Sequence, residues 1–377
     1  MKFIFATDSF KGSLTSEEAE GLLSRALKKV MPDAVSVSIP TADGGEGTAD
    51  ALCRAKNGKK IPVRAHDPLF RPINASYVRL DENKAVIETA SASGLTLLAN
   101  HERDPLLTSG YGSGEIIAQA LKDGCRDLYI ALGGSATNDG GIGTLRALGY
   151  HFYDEEGKEL EGRGQDLIRI HEIDDRDRNP LLDEAHITLL SDVINPLCGK
   201  NGATYTFGRQ KGGTEEKLNY LERGMISWRN LLKRKYRRDA DRIKGAGAAG
   251  GMGAGLAITL NAEIRSGISV VLDLSGFDEQ VLDADYVITG EGRTDWQSSC
   301  GKVLQGIGER CSRYQIPVIA ISGSTGEGYE EIYSHGITYL FTTSDPDHDL
   351  MWNMNHARDL YYQTAVSVFT MIRERQK

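Results

Sequence analysis

Short apolar runs alternate with amphipathic helical stretches at both ends of this chain, and that alternation restricts its fold more than any other feature. Residues 2–8 (KFIFATD) read as a buried strand. Thr15 followed by Glu18 spells a capping box, and Ala19, Leu22, Leu23, Ala26, Leu27 and Val30 then share one helix face. AVSVSIP at 34–40 predicts the next strand and 47–56 another helix. From about 270 the rhythm returns in ADYVITG, IPVIAISG and YLFTTSD, with helices between them and a last helix over about 355–374. Units of this β-α-β kind build a parallel sheet covered by helices.

The middle of the chain differs. Residues 61–66, 74–80 and 84–89 predict three strands, with Asp81-Glu82-Asn83 as the last turn of an antiparallel meander. Further on, the spacing predicts a helix over 114–123 closed by Gly124, a strand over 127–132, a helix over 141–148, a strand over 186–192 and a charged helix over 214–237. The expected fold class is therefore α/β with two domains. A Rossmann-like, doubly wound domain is built from both chain ends (1–60 and 270–377), and a mixed α/β domain (61–269) is inserted in it. The 377 residues suffice for this.

Charge narrows the function classes. Forty-four Lys and Arg against 53 Asp and Glu leave a net charge of −9, which argues against nucleic acid or an anionic membrane as partner. The seven basic residues between Lys233 and Lys244 read as a solvated helix face, since the chain as a whole is acidic and Tyr236 is the one aromatic among them. No apolar run approaches the roughly 18 residues of a membrane span. The opening MKFIFATDSFKGS is too short in apolar residues for a signal segment. Cys53, Cys125, Cys198, Cys300 and Cys311 form no C-x-x-C pair, so reduced thiols in a cytoplasmic protein are expected.

Glycine is in excess, 43 residues of 377, against an ordinary share of about 7%. The excess collects where predicted strands end: FATD, IPTADGGEG, IALGGSATNDGG, LLSD, VITGEGRTD and AISGSTGEG. In open α/β sheets ligands bind outside these carboxyl ends, so a site handling a polyanion is expected there. Gly133 and Gly134 open a loop whose N–H groups can form a nest, with Ser135, Thr137 and Asn138 as polar contacts to phosphate. Asp139 in the same loop either holds Mg²⁺ or caps the helix that follows. Gly245, Gly247 and Gly250 spell G-x-G-x-x-G, but a charged stretch precedes them instead of an apolar strand, so a dinucleotide fold is not implied. Gly247 and Gly250 still permit close approach to a nucleotide.

Asp43, Gly44, Gly45, Glu46 and Thr48 place two carboxylates in one glycine turn. Glu291, Arg293, Asp295, Gln297 and Ser298 repeat the device with an arginine added. Carboxylates so close repel, which calls for Mg²⁺ or a basic side chain nearby; Asp43, Asp139, Glu291 and Asp295 are the candidate metal ligands, with helix capping as the other use of Glu46 and Asp295. Asp8, Ser9, Phe10 and Lys11 follow the first strand; Lys11 can reach a phosphate or carboxylate, although its spacing alone equally describes a surface lysine. Asp192 ends a strand before Val193, Ile194 and Pro196, an apolar setting suited to a general base, with turn capping as the alternative.

These blocks, in this order, resemble the bacterial glycerate kinase family, type 1. The matching stretches are FKGS at 10–13, ADGGEGT at 42–48, TSGYGSGE at 108–115, GGSATNDGGIG at 133–143, SDVINPLCGKNGATYTFGRQKG at 191–212, GAGAAGGMGAGL at 245–256 and TGEGRTDWQSSCGK at 289–302. Arg209, Gly213 and Leu304 depart from the family pattern, each flanking a motif. The resemblance implies ATP-dependent phosphorylation of D-glycerate, most often to 2-phosphoglycerate, in a cleft between two α/β domains. ATP and Mg²⁺ are the implied cofactors, Lys11 or Arg293 would serve as cationic clamps, and a monomer or homodimer is the expected state. Phosphorylation at the 3-hydroxyl, a non-catalytic glycerate sensor and a hydroxy-acid dehydrogenase remain the competing readings.

Overall fold

The computed structural model describes residues 1–299 and 301–375; Cys300 lies outside the described residues. The chain is α/β and divides into two compact units. One comprises Met1–Asp43, Arg54–Lys56 and Gly267–Lys377, the other Gly44–Cys53 and Asn57–Ser266.

The first unit is built on five parallel strands. In chain order they are Lys2–Thr7, Val35–Ser38, Tyr286–Gly290, Val318–Ser322 and Ile337–Thr342. Their spatial order is second, first, third, fourth, fifth. Alternate side chains of each strand enter opposite layers. Phe3, Phe5, Ile288 and Ile319 pack under the helices Ser16–Val30 and Ala357–Glu374, while Ile4, Ala6, Val287 and Val318 pack under Gly267–Ser275 and Val303–Arg313. The edge strand Val35–Ser38 is shorter than the apolar run predicts and mostly exposed.

The second unit carries a six-stranded mixed sheet. Glu263–Arg265, His186–Leu190, Asp127–Ala131 and Lys84–Glu88 run parallel, and Pro72–Arg79 and Lys59–His66 complete the expected antiparallel meander. The three-residue strand Glu263–Arg265 and the small hairpin of His151–Tyr153 with Glu172–Asp174 were not expected, being too short to show a period of two. The long helix Glu215–Tyr236 buries Trp228, whose indole N–H donates to Gly140 O at 3.0 Å. The basic run at its end forms local structural contacts: Lys233 pairs with Asp239, Lys235 with Asp175, and Arg238 donates to Ala257 O.

Local chemistry sets the element boundaries. Thr15 Oγ1 accepts from Glu18 N at 3.2 Å, and Glu18 Oε2 accepts from Thr15 N at 2.9 Å, so the predicted box opens the helix Ser16–Val30. Gly124, at φ +95°, follows the helix Tyr111–Lys122, which starts three residues earlier than expected. Cys53, Cys125, Cys198 and Cys311 are unbridged. Among the described residues no helix is long and apolar enough to cross a membrane. Thr15→Ala should cost about 1 kcal/mol of stability in urea denaturation, the usual worth of an N-cap; an unchanged midpoint would show that this helix is held by packing alone.

Candidate active site

Strand order in the first unit reverses between Lys2–Thr7 and Tyr286–Gly290, where the connections on either side leave in opposite directions. Such a switch point opens a crevice at the carboxyl ends of the strands. A cavity of about 410 Å³ lies there, and the segments following all five strands line it. Asp8, Ser9, Phe10 and Lys11 come from the first; Asp43 from the second; Glu291, Arg293 and Asp295 from the third. Ser324 and Thr343 follow the fourth and fifth.

Carboxylates crowd this cavity. Asp8 is pushed up to about 7, first by burial and then by the charge of Asp43, with Glu291 adding to both; Ser9 N and the Lys11 charge act the other way. Glu291 is buried, and its Oε1 accepts from Ser298 Oγ at 2.5 Å and Thr294 Oγ1 at 3.1 Å. Burial raises its pKa above the usual carboxylate value, and these hydroxyls with the Lys302 charge oppose the rise. Asp295 accepts from Gln297 N at 2.9 Å and stands 3.7 Å from Arg293 Nε. Ser298 is therefore a buried support for Glu291, and exposed Gln297 does not line the cavity. The Phe10 ring is core, edge-on to Tyr361 at 5.1 Å.

The second unit gathers the remaining predicted residues at the carboxyl ends of its own parallel strands. Gly133 and exposed Gly134 (φ +74°) lead the loop after Asp127–Ala131, and half-buried Asp192 follows the neighbouring strand His186–Leu190. Thr48 Oγ1 donates to Gly45 O at 2.8 Å, and a Cβ on Gly133 would come within 2.6 Å of Gly45 Cα, so the 44–48 turn seats against this loop. Glu46 is exposed.

Thr137 and Asn138 are wholly buried, and Ser135 is 6% exposed. Asp139 is buried too, accepting from Gly110 N at 2.7 Å, Gly141 N at 3.0 Å and Gly143 N at 3.3 Å. Its carboxylate thus anchors the starts of two helices, Tyr111–Lys122 and Ile142–Ala147, which favours the capping role over the metal one. Gly247 and Gly250 are also buried. A Cβ on Gly250, at φ +64°, would meet Thr137 O at 2.0 Å, and one on Gly247 would meet Pro196 O at 2.4 Å. Their close approach is to protein backbone.

Sequence reasoning missed Lys211. It is 2% exposed, and its ammonium donates to Ser135 Oγ at 2.9 Å and Thr137 O at 2.7 Å. Burial pushes it down to about 7 against the pull of Asp139. It also gave no role to Lys302, which ends the 289–302 stretch, or to the apolar wall of the cavity, Leu350, Met354 and Leu360, which carries no motif.

Among the described residues no three His, Cys, Asp or Glu side chains converge as a ready metal cage. A divalent cation such as Mg²⁺ can be held by one or two carboxylates together with substrate phosphates and water. The mutual repulsion of Asp8, Asp43 and Glu291 is what such a cation would relieve.

The sequence profile of the glycerate kinase family matches residues 3–373. The chain belongs to the glycerate kinase family. It is 42% identical to the glycerate kinase of Haemophilus influenzae, over 90% of each chain. It is 41% identical to the glycerate 2-kinase of Escherichia coli, over 91% of this chain and 90% of that one. A crystal structure from Salmonella typhimurium, provisionally named glycerate kinase 2, superimposes with a TM-score of 0.88 at 38% identity, covering 100% and 99% of the two chains. As a glycerate kinase family member the chain is an enzyme of the kinase class, and kinase chemistry implies ATP as donor.

Asp8 yields a pH-dependent expectation. Its pKa stands at about 7 in the fold and 3.8 in the free side chain, so the folded state binds the extra proton between these values. The stability tied to Asp8 is complete below about pH 4 and is lost as pH rises through 7. Asp8→Asn should therefore melt above the parent protein at pH 8, with the difference closing toward pH 4. Thermal melts across that range check this, and a pH-independent difference would contradict it.

Proposed function

We propose that this chain transfers the terminal phosphoryl group of ATP to the 2-hydroxyl of D-glycerate, giving 2-phosphoglycerate. The observation that carries the reading is the switch-point cavity of a kinase-family chain, where carboxylates and basic side chains meet. Phosphoryl transfer needs positioning, charge neutralisation and a managed proton more than covalent help. The name of the Escherichia coli relative, a glycerate 2-kinase, supports the 2-hydroxyl as acceptor.

In this reading Lys11 and Arg293 neutralise phosphate charge. Mg²⁺, when bound with ATP, would shield the polyphosphate, held by one or two of Asp43, Glu291 and Asp295 together with the phosphates. Asp8 sits close enough to Asp43 and Glu291 to feel their charges and would share the benefit. The 133–143 loop contributes backbone N–H groups at Gly133 and Gly134, with the Ser135 hydroxyl, to an anionic group. Asp192 takes the proton of the attacking hydroxyl, which is a poor nucleophile at neutral pH. The unbridged thiols support a reducing compartment such as the cytoplasm.

A coupled assay should register ADP release on adding D-glycerate, and excess EDTA should abolish it. NMR of the product should show 2-phosphoglycerate. The 3-phosphate would move the acceptor to the other hydroxyl, and binding without ADP release would make the protein a sensor.

Asp192→Asn keeps size and much of any capping ability. It should lower kcat by about 10²–10⁴-fold while the KM for glycerate and the melting temperature change little. Lower stability with near-normal turnover would instead assign Asp192 to the turn and shift the base to another carboxylate, Asp43 first.

A further inference from the structure

Lys211 is a charge in an expensive place. It ends the short turn Arg209–Lys211 and lies beneath a loop more than 70 residues earlier in the chain. Gly212 makes the insertion possible: its φ is +91°, and a Cβ there would stand 2.0 Å from Arg103 O. An ammonium withdrawn from water is costly, and stability alone would be served as well by an apolar side chain of similar volume. What the lysine holds is therefore informative. It engages the side chain of Ser135 and the carbonyl of Thr137, two residues of the glycine loop, with the capped Asp139 carboxylate as the nearby opposite charge.

A hydroxyl has one proton to donate and two lone pairs to accept with. Once an ammonium occupies a lone pair of Ser135 Oγ, the Ser135 proton must point elsewhere. Beside it the Thr137 hydroxyl is wholly buried and has no hydrogen-bond partner, a second donor within the same loop that lacks an acceptor. Ser135, with 6% of its surface still open, can thus offer its proton to an oxygen acceptor at this loop, with the unpartnered Thr137 donor buried behind it. We propose that Lys211 is a positioning residue for phosphoryl transfer, fixing the Ser135 hydroxyl as a donor to an anionic oxygen of the bound substrate. That oxygen belongs to a phosphate or to a carboxylate. The inference rests on the assignment of the 133–143 loop to substrate binding.

The test is a double-mutant cycle on the full-length enzyme, with Lys211→Met, Ser135→Ala and the pair, measured by steady-state kinetics with ATP and D-glycerate varied in turn. Lys211→Met should lower kcat/KM about 10–100-fold, by analogy with the loss of an outer residue that orients a metal ligand. The melting temperature should hold or rise. The double variant should be no worse than Lys211→Met alone, because Ser135 is already misdirected. A KM rise confined to ATP identifies the anion as phosphate; one confined to glycerate identifies it as the carboxylate.

Unchanged kcat/KM in Lys211→Met, or losses that multiply in the double variant, would overturn the proposal. Full activity in Ser135→Ala would overturn the loop assignment and the proposal with it, whereas an impaired Ser135→Ala beside a normal Lys211→Met removes the proposal alone. If Lys211→Met does not fold, Lys211→Gln, which keeps a donor without the charge, takes its place in the cycle. Failure of both to fold would assign Lys211 to stability and overturn the positioning role.

Discussion

Strand direction governs what either sheet of this protein can do. A parallel strand delivers its carboxyl end to the same edge as its neighbour, so every loop that follows a strand arrives on one side. In the first unit all five strands obey this, and the segments after them surround a single cavity. In the second unit four strands obey it, and the glycine loop and Asp192 leave from adjacent members of that set. Had one of these strands run the other way, its polar loop would lie at the opposite edge. The helices are consequences of the same constraint, since parallel connections must cross over a face and cover it.

Collecting polar loops on one edge has an electrostatic cost. In the first unit the cost is visible in Asp8, held far from its free value by burial and by two neighbouring carboxylates. In the second it is visible in the opposed pair of buried groups, an ammonium at Lys211 and a carboxylate at Asp139. The two units meet the cost differently. Asp139 is satisfied by three backbone N–H groups at helix starts, a solution complete within the protein. Around the cavity the carboxylates repel one another, Asp43 and Glu291 both raising Asp8, and that repulsion is the physical reason to look for a cation there.

The sequence disclosed the fold well where a pattern had room to repeat. The helix Ser16–Val30 declares itself by its box and by four turns of apolar residues, and the meander by its spacing and its turn. Three-residue strands such as Glu263–Arg265 have no room for a period and stayed hidden. The site was legible as a set of loops, and less so as individual roles. Asp139 looked equally suited to capping and to metal until the three N–H donors were seen. Gly247 and Gly250 read as room for a nucleotide, whereas in the fold the space beside them is filled by the backbone of Thr137 and Pro196. Lys211 lies within the matching stretch 191–212, but it is one of 44 basic residues and no apolar pattern around it announces that it is buried. The apolar wall from Leu350, Met354 and Leu360 reads as an ordinary helical stripe, because its partner surface comes from the other end of the chain.

The central position of the first strand has a consequence for the order in which the protein can assemble during synthesis. Lys2–Thr7 leaves the ribosome long before one of its two neighbours, Tyr286–Gly290; the Lys2 amide finds its acceptor on Asp285, 283 residues later. Until then this very apolar segment can pair only with Val35–Ser38 and keeps one edge open. The second unit, by contrast, lies almost wholly within 44–266 and has all its strands before the third strand of the first unit exists. The nascent chain therefore carries an incomplete sheet through most of its translation. That exposed edge is where aggregation, chaperone capture or slow refolding would concentrate.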